Sequence, residues 1–172
     1  MNSLKVCVGQ TDNVYRLDKS IGTGSYGDVQ LARTTKGICN CPSEFVLRQF
    51  LGKQVAIKKI AKNRKNYCQS DVEREVEAYK RFNHKNVVKF VEYFDDDEAS
   101  YIVMEFIDGT DLCSLYESRE LEPLPELEVK KIFRQIVEAV AYVHLKGVVH
   151  LDIKLENVLL DKQGRVSSRL KF

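Results

Sequence analysis

His150-Leu151-Asp152-Ile153-Lys154-Leu155-Glu156-Asn157 is the stretch on which the reading of this sequence turns. Alone it would pass for a polar loop after a helix. Val148-Val149 precede it and Val158-Leu159-Leu160 follow, so its polar groups are expected to be held inside a buried apolar frame. There Asp152 can accept a hydroxyl proton or orient that hydroxyl, and Lys154 can neutralise charge on a transferring phosphoryl group. Asn157 can ligate Mg²⁺ through its side-chain oxygen.

Working outward, Leu127–His144 has the strongest helical period in the chain, with Ile132, Phe133, Ile136, Val137, Val140 and Val143 in an apolar stripe. Asp111–Tyr116 suits a short helix. Val87–Phe94 and Ser100–Phe106 read as strands about the acidic turn Asp95-Asp96-Asp97. Ser70-Asp71-Val72-Glu73 predicts a capping box opening a helix that carries Val72, Val76 and Tyr79 and ends near Asn83. Gln54–Ile60 reads as a strand. Residues 34–52, with Gly37, Pro42 and Gly52, read as a surface insertion in which Phe45-Val46-Leu47 and Phe50-Leu51 form a short helix. There is no internal repeat, low-complexity tract or linker.

The glycines at the other end raise a question of phosphate binding. Gly22, Gly24 and Gly27 lie between Val14–Ile21 and the alternating Val29 and Leu31, which is strand-turn-strand. A dinucleotide fold would open a helix at the third glycine, and a Walker A loop would end in Gly-Lys-Ser/Thr. Neither pattern is met; a glycine flap folded over a polyphosphate fits. Lys58 ends the apolar run Val55-Ala56-Ile57, and Lys59 beside it is expected to face water. A lysine fixed for phosphate contact needs a carboxylate, and Glu75 shares the inward helix face with Val72 and Tyr79. A charge on that face is unusual without a partner, so Lys58 and Glu75 are expected to pair.

At 172 residues, 44% hydrophobic and 30% charged with net charge +2, the chain can bury one core and offers no strongly basic surface. Nucleic acid and anionic membranes are therefore not expected as partners. No run approaches the roughly 18 apolar residues of a membrane span and no signal peptide is read, so an intracellular protein, cytoplasmic or nuclear, is expected. Cys7, Cys39, Cys41, Cys68 and Cys113, odd in number and irregularly spaced, read as free thiols. The Cys39-x-Cys41 pair lacks further ligands for a metal.

Taken together, the glycine loop with Val29, the Val55-Ala56-Ile57-Lys58 strand, the helix Glu75 and the His150-x-Asp152-x-Lys154-x-x-Asn157 loop resemble the eukaryotic-type serine/threonine protein kinase family, in the family's order. The resemblance implies an α+β fold. Residues 14–107 would be an antiparallel five-stranded N-lobe with one helix, plus hinge, and 108–166 the start of a helical C-lobe. Residues 1–13 would be a tail and 167–172 a segment unlike the family. It implies ATP and Mg²⁺ as cofactors and a protein serine or threonine as substrate. Asp152 and Lys154 would be catalytic and Asn157 a metal ligand. By the same resemblance Met104 would be the gatekeeper, backbone groups of Glu105 and Ile107 would bind adenine, and Asp111 would reach the ribose. Val29 and Ala56 would pack on the adenine, with Ile21, Gly22, Gly24 and Gly27 closing over the nucleotide.

Leu151 stands where the family usually carries the arginine that binds an activation-loop phosphate, so that mode of switching is not expected here. The sequence reaches Phe172 without the family's Asp-Phe-Gly motif. Impaired transfer is therefore expected of these residues, along with an exposed apolar face on the long helix that a partner chain can cover. The alternative is an inactive, pseudokinase-like fragment that binds nucleotide or a partner.

Overall fold

The computed structural model describes residues 14–24, 27–35 and 52–168. They divide into two compact units, with residues up to Val76 and Phe90–Phe106 in one, and Glu77–Lys89 and Ile107 onward in the other. The helix expected around Phe45–Leu51 lies outside the described residues, as do Cys7, Cys39 and Cys41.

The first unit is an antiparallel sheet of β1 (Val14–Gly24), β2 (Gly27–Thr35), β3 (Gln54–Ala61), β4 (Phe90–Asp95) and β5 (Ala99–Glu105), in the order β1-β2-β3-β5-β4. Gly24 pairs with Gly27 around a two-residue tip. Gly27 has φ +140°, and a Cβ there would lie 2.6 Å from the Lys59 carbonyl, so no other residue fits without displacing β3. Strand alternation separates two faces. Tyr15, Ala32, Val55, Ile57, Val91, Phe94, Ala99, Tyr101 and Val103 close the core cluster on one of them. Tyr15 and Glu92 belong to opposite edge strands, yet the Tyr15 hydroxyl donates to the Glu92 carboxylate and its ring stacks on Phe94 at 6.0 Å. The sheet is therefore curled around this core. Burial, reinforced by Glu92, holds the Tyr15 phenol well above its ordinary range.

Helix α1 (Gln69–Lys80) follows β3, with Val72, Val76 and Tyr79 buried as their spacing requires. The expected capping box does not form. The helix starts before Ser70, whose hydroxyl meets the Cys68 thiol, and Glu73 accepts from the Gln69 side chain. The backbone carbonyl of Cys68 takes the first amides, those of Asp71 and Val72.

The second unit holds α2 (Leu112–Ser118), α3 (Glu126–Leu145) and a three-stranded sheet of β6 (Gly109–Asp111), β7 (Val158–Asp161) and β8 (Val166–Ser168). Leu112, Val158 and Val166 form its core, with Leu115, Ile132, Ile136 and Leu160 packed around them. This sheet was not expected: Val148–Leu160 reads as loop, but its last residues enter β7. Val87–Lys89, expected to be strand, lie outside β4; Val87 bridges Ser168 and the Val88 amide donates to the Ser168 carbonyl. The stripe on α3 also splits. Ala139 and Val143 are buried, whereas Phe133 and Val137, on a neighbouring i, i+4 row, are 62% and 48% exposed.

Candidate active site

The pairing register decides which residues of the first unit share a face. Val29 lies opposite Lys58, and Lys58 opposite Ile102, while Ala56 lies between Leu31 and Met104. Gly22 is opposite Val29. Directly paired residues share a face, so Gly22, Val29, Ala56, Lys58 and Met104 all lie on the face away from the Tyr15 cluster. Val29, Ala56 and Lys58 are partly exposed there, and Met104 is buried. Lys59 alternates to the other face, where its ammonium sits 5.8 Å from the Tyr101 ring centre rather than facing water alone. Ile21 is exposed at 38%, next to a register shift in β1. Ser25 and Tyr26, the loop tip, lie outside the described residues.

Lys58 and Glu75 meet at 2.7 Å, with side-chain exposures of 16% and 12%. The pair is the expected one. It joins β3 to α1 and holds an ammonium on the face shared with Gly22 and Val29. Glu105 ends β5 opposite Val55.

In the second unit the polar stretch forms a compact loop ending in one turn of 3₁₀ helix, Leu155–Asn157. Asn157 Nδ2 donates to the Asp152 backbone carbonyl at 2.8 Å and to Asp152 Oδ2 at 3.0 Å. Lys154 Nζ lies 3.5 Å from that same oxygen. With its nitrogen so engaged, the Asn157 amide has its side-chain oxygen left as an acceptor. Among the described residues no cluster of three or more His, Cys, Asp or Glu is arranged to hold a metal. The expected apolar frame is only half closed. Val158 is buried and Val148, Leu159 and Leu160 partly so, whereas Val149 is 61% exposed, and within the stretch itself Leu151 and Ile153 are exposed as well. The polar loop is therefore fixed by its own hydrogen bonds more than by burial.

Asp111 is the N-cap of α2, its Oδ1 accepting the Ser114 amide at 2.9 Å and its Oδ2 the Ser114 hydroxyl at 2.8 Å. The Ile107 carbonyl accepts the Gly109 amide at 3.0 Å.

Two positioning devices stand beside this loop: His150 belongs to the pattern read from the sequence, whereas Gln135 carried no signal that spacing could reveal. His150 is buried, and its Nδ1 accepts the Asp152 amide at 3.0 Å, which sets the backbone from which Asp152 projects. Gln135 on α3 is a hub: its Oε1 accepts from Asn86 Nδ2 at 2.9 Å and from the Val166 amide at 3.0 Å. Its Nε2 donates to the Gly164 carbonyl at 3.1 Å. Asn86, fully buried, also donates to the Val166 carbonyl at 2.7 Å. This clasp ties the β7–β8 hairpin, and with it the end of the Asp152 loop, to the long helix.

The sequence family described as protein kinase domain matches residues 15–171. The chain is 35% identical over 156 residues to CBL-interacting serine/threonine-protein kinase 24 of Arabidopsis thaliana, covering 88% of this chain and 31% of that protein. It is 36% identical over 149 residues to human NUAK family SNF1-like kinase 1, covering 86% and 20%. With human NUAK family SNF1-like kinase 2 the identity is 35% over 154 residues, covering 88% and 22%. The chain thus spans between about a fifth and a third of the length of these curated relatives.

Proposed function

This chain belongs to the protein kinase family, a family of ATP-dependent phosphotransferases, and from that premise we propose that its residues transfer the ATP γ-phosphate to serine or threonine hydroxyls of a protein. The observation that carries the reading is the internal order of the Asp152 loop: proton acceptor, cation and amide ligand converge within six residues.

The nucleotide is proposed to lie on the face of Gly22, Val29, Ala56, Lys58 and Met104. Glycines at 22, 24 and 27 let backbone amides approach phosphate, and Lys58, held by Glu75, supplies a fixed positive charge. Val29 and Ala56, with Ile21, offer apolar contact for the base, and backbone groups at Glu105 and Ile107 offer its polar contacts. The Asp111 carboxylate, already a helix cap, has further lone pairs with which to meet a ribose hydroxyl. Asp152 is proposed to orient the attacking hydroxyl and take its proton, with Asn157 and Lys154 fixing the carboxylate. Lys154 is proposed to offset charge on the phosphoryl group in transit. Mg²⁺, when bound at the Asn157 side-chain oxygen, supplies neutralisation of the phosphate charges.

No helix of the described residues is long and apolar enough to cross a membrane. The proposed partners are ATP and a protein substrate in an intracellular compartment, together with a partner chain over the exposed Phe133–Val137 row. The test is incorporation of labelled γ-phosphate into a mixed Ser/Thr protein substrate. Asp152→Asn is expected to lower it by on the order of 10²-fold or more, the usual contribution of a positioned base. Undiminished incorporation would overturn the assignment. ATP binding without transfer by the unaltered chain would favour the inactive, nucleotide-binding alternative.

A further inference from the structure

The Lys58–Glu75 contact poses a mechanical question. A single ion pair, even one as buried as this, is weak evidence of stability and cannot by itself fix the roll of a helix about its axis. Val72, Val76 and Tyr79 bury one side of α1, but apolar packing is non-directional and tolerates small rotations. Something directional must set the azimuth at which Glu75 emerges.

The first residue of α1 does this. Gln69 Oε1 accepts the Tyr67 hydroxyl. Its Nε2 donates to the Tyr93 hydroxyl on β4 at 3.0 Å and to Glu73 Oε1 at 3.1 Å, and approaches Asp95 Oδ2 at 3.5 Å. Tyr67 in turn bonds at 2.9 Å to Ser100 Oγ, which is fully buried on β5. A single side-chain amide is thereby wired to two adjacent strands of the sheet. Gln69 and Glu75 are six residues apart, which on an α-helix is about 9 Å of rise and roughly 240° of rotation. Two tethers at different heights and on different sides fix both the roll and the slide of the helix, whereas one would leave the roll free.

We infer that Gln69 is a positioning residue for the Lys58 ammonium, acting through α1 and Glu75. This rests on the proposal that Lys58 holds nucleotide phosphate. Gln69→Leu removes every bond made by the Gln69 side-chain amide. Gln69→Glu keeps the shape but deletes the amide donors and sets a third carboxylate beside Glu73 and Asp95.

The experiment reads the helix setting directly. Acylation of lysines in the whole chain by an activated ester, mapped by mass spectrometry, gives the rate at Lys58 relative to exposed Lys53. An ammonium bonded to Glu75 is slow to react. Both Gln69 variants are expected to raise the Lys58-to-Lys53 ratio by about threefold or more, while Ser70→Ala in the same helical turn leaves it unchanged. Gln69→Glu serves should the leucine variant fail to fold. In a Glu75→Gln background, Gln69→Glu is expected to add nothing, because the partner through which it acts is gone. An unchanged ratio in Gln69→Glu, or a full further increase in the Glu75→Gln background, would overturn the inference. The same chemistry with excess ADP separates the two ideas. Protection of Lys58 by ADP in the unaltered chain tests the nucleotide site, and its failure would leave the Gln69 result standing or falling independently.

Discussion

The chain builds its two polar centres in opposite ways. Lys58 and Glu75 are 17 residues apart and meet only because β3 and α1 are packed and tethered. Asp152, Lys154 and Asn157 lie within one short loop and bond to one another directly. The first centre therefore inherits its geometry from tertiary structure and should be sensitive to changes far from it. The second carries its geometry with it, and depends on the rest of its unit chiefly through the hairpin that leaves it.

The hardest test of this contrast strikes at that hairpin. Gln135→Leu would strand the buried Val166 amide and the Asn86 side-chain nitrogen of one partner each. At about 1–3 kcal/mol for each buried group left short, a loss of roughly 2–5 kcal/mol is expected by chemical denaturation. Amide exchange should rise over Val158–Ser168 while β1–β3 keep their protection. Equal loss of protection in both units would contradict the separation of the two centres.

A milder change probes the first centre. Val76→Ala deletes two buried methyl groups on α1, at a cost of about 2 kcal/mol including the cavity. It is expected to weaken the Lys58–Glu75 contact, read as faster acylation of Lys58, and to leave the resonances of Asn157 where they were. Movement of the Asn157 side-chain signals with no change at Lys58 would reverse the contrast.

The smallest effect is a pH dependence. His84 Nδ1 accepts the Asn86 amide at 3.2 Å, which requires the unprotonated nitrogen, and its ring stacks on Tyr142 at 4.9 Å. Burial, and then Lys85, hold its pKa below the usual 6.5, with Glu138 opposing. The unfolded chain thus binds this proton more readily than the folded one. The contribution is whole above about pH 6.5 and is lost as the pH falls through the lower folded value. Melting temperature should drop between pH 7.5 and 5.5, and less so in His84→Asn, whose side-chain oxygen remains an acceptor at both. Identical drops in the two proteins would remove His84 from the account.

How much of this was legible in the sequence follows the same divide. The long α3, the strands β1 to β3 and the Lys58–Glu75 pair were readable because each rests on a period or on a charge misplaced within one. The three-stranded sheet was not, because β6 and β8 are three residues long and too short to show alternation. The capping box failed for a local reason. Gln69, one residue earlier, has sheet hydroxyls within reach of its amide, so the helix starts there and draws Glu73 toward it. An exposed apolar face on the long helix was expected, but not that Phe133 and Val137 would form it, because periodicity records which residues are apolar and cannot say how wide a face is covered. Hubs such as Gln135 and Gln69 leave no pattern at all, since their partners are brought together only by the fold.

One centre is proposed to hold nucleotide and the other to direct transfer. The dissociation constant for ADP, measured by calorimetry on the unaltered chain, Lys58→Met and Asp152→Asn, decides between this division of roles and its absence. Lys58→Met is expected to weaken binding by about tenfold or more, the loss of one charge-assisted phosphate contact, and Asp152→Asn to stay within about twofold. Unchanged binding in Lys58→Met, or comparable losses in both variants, would contradict it.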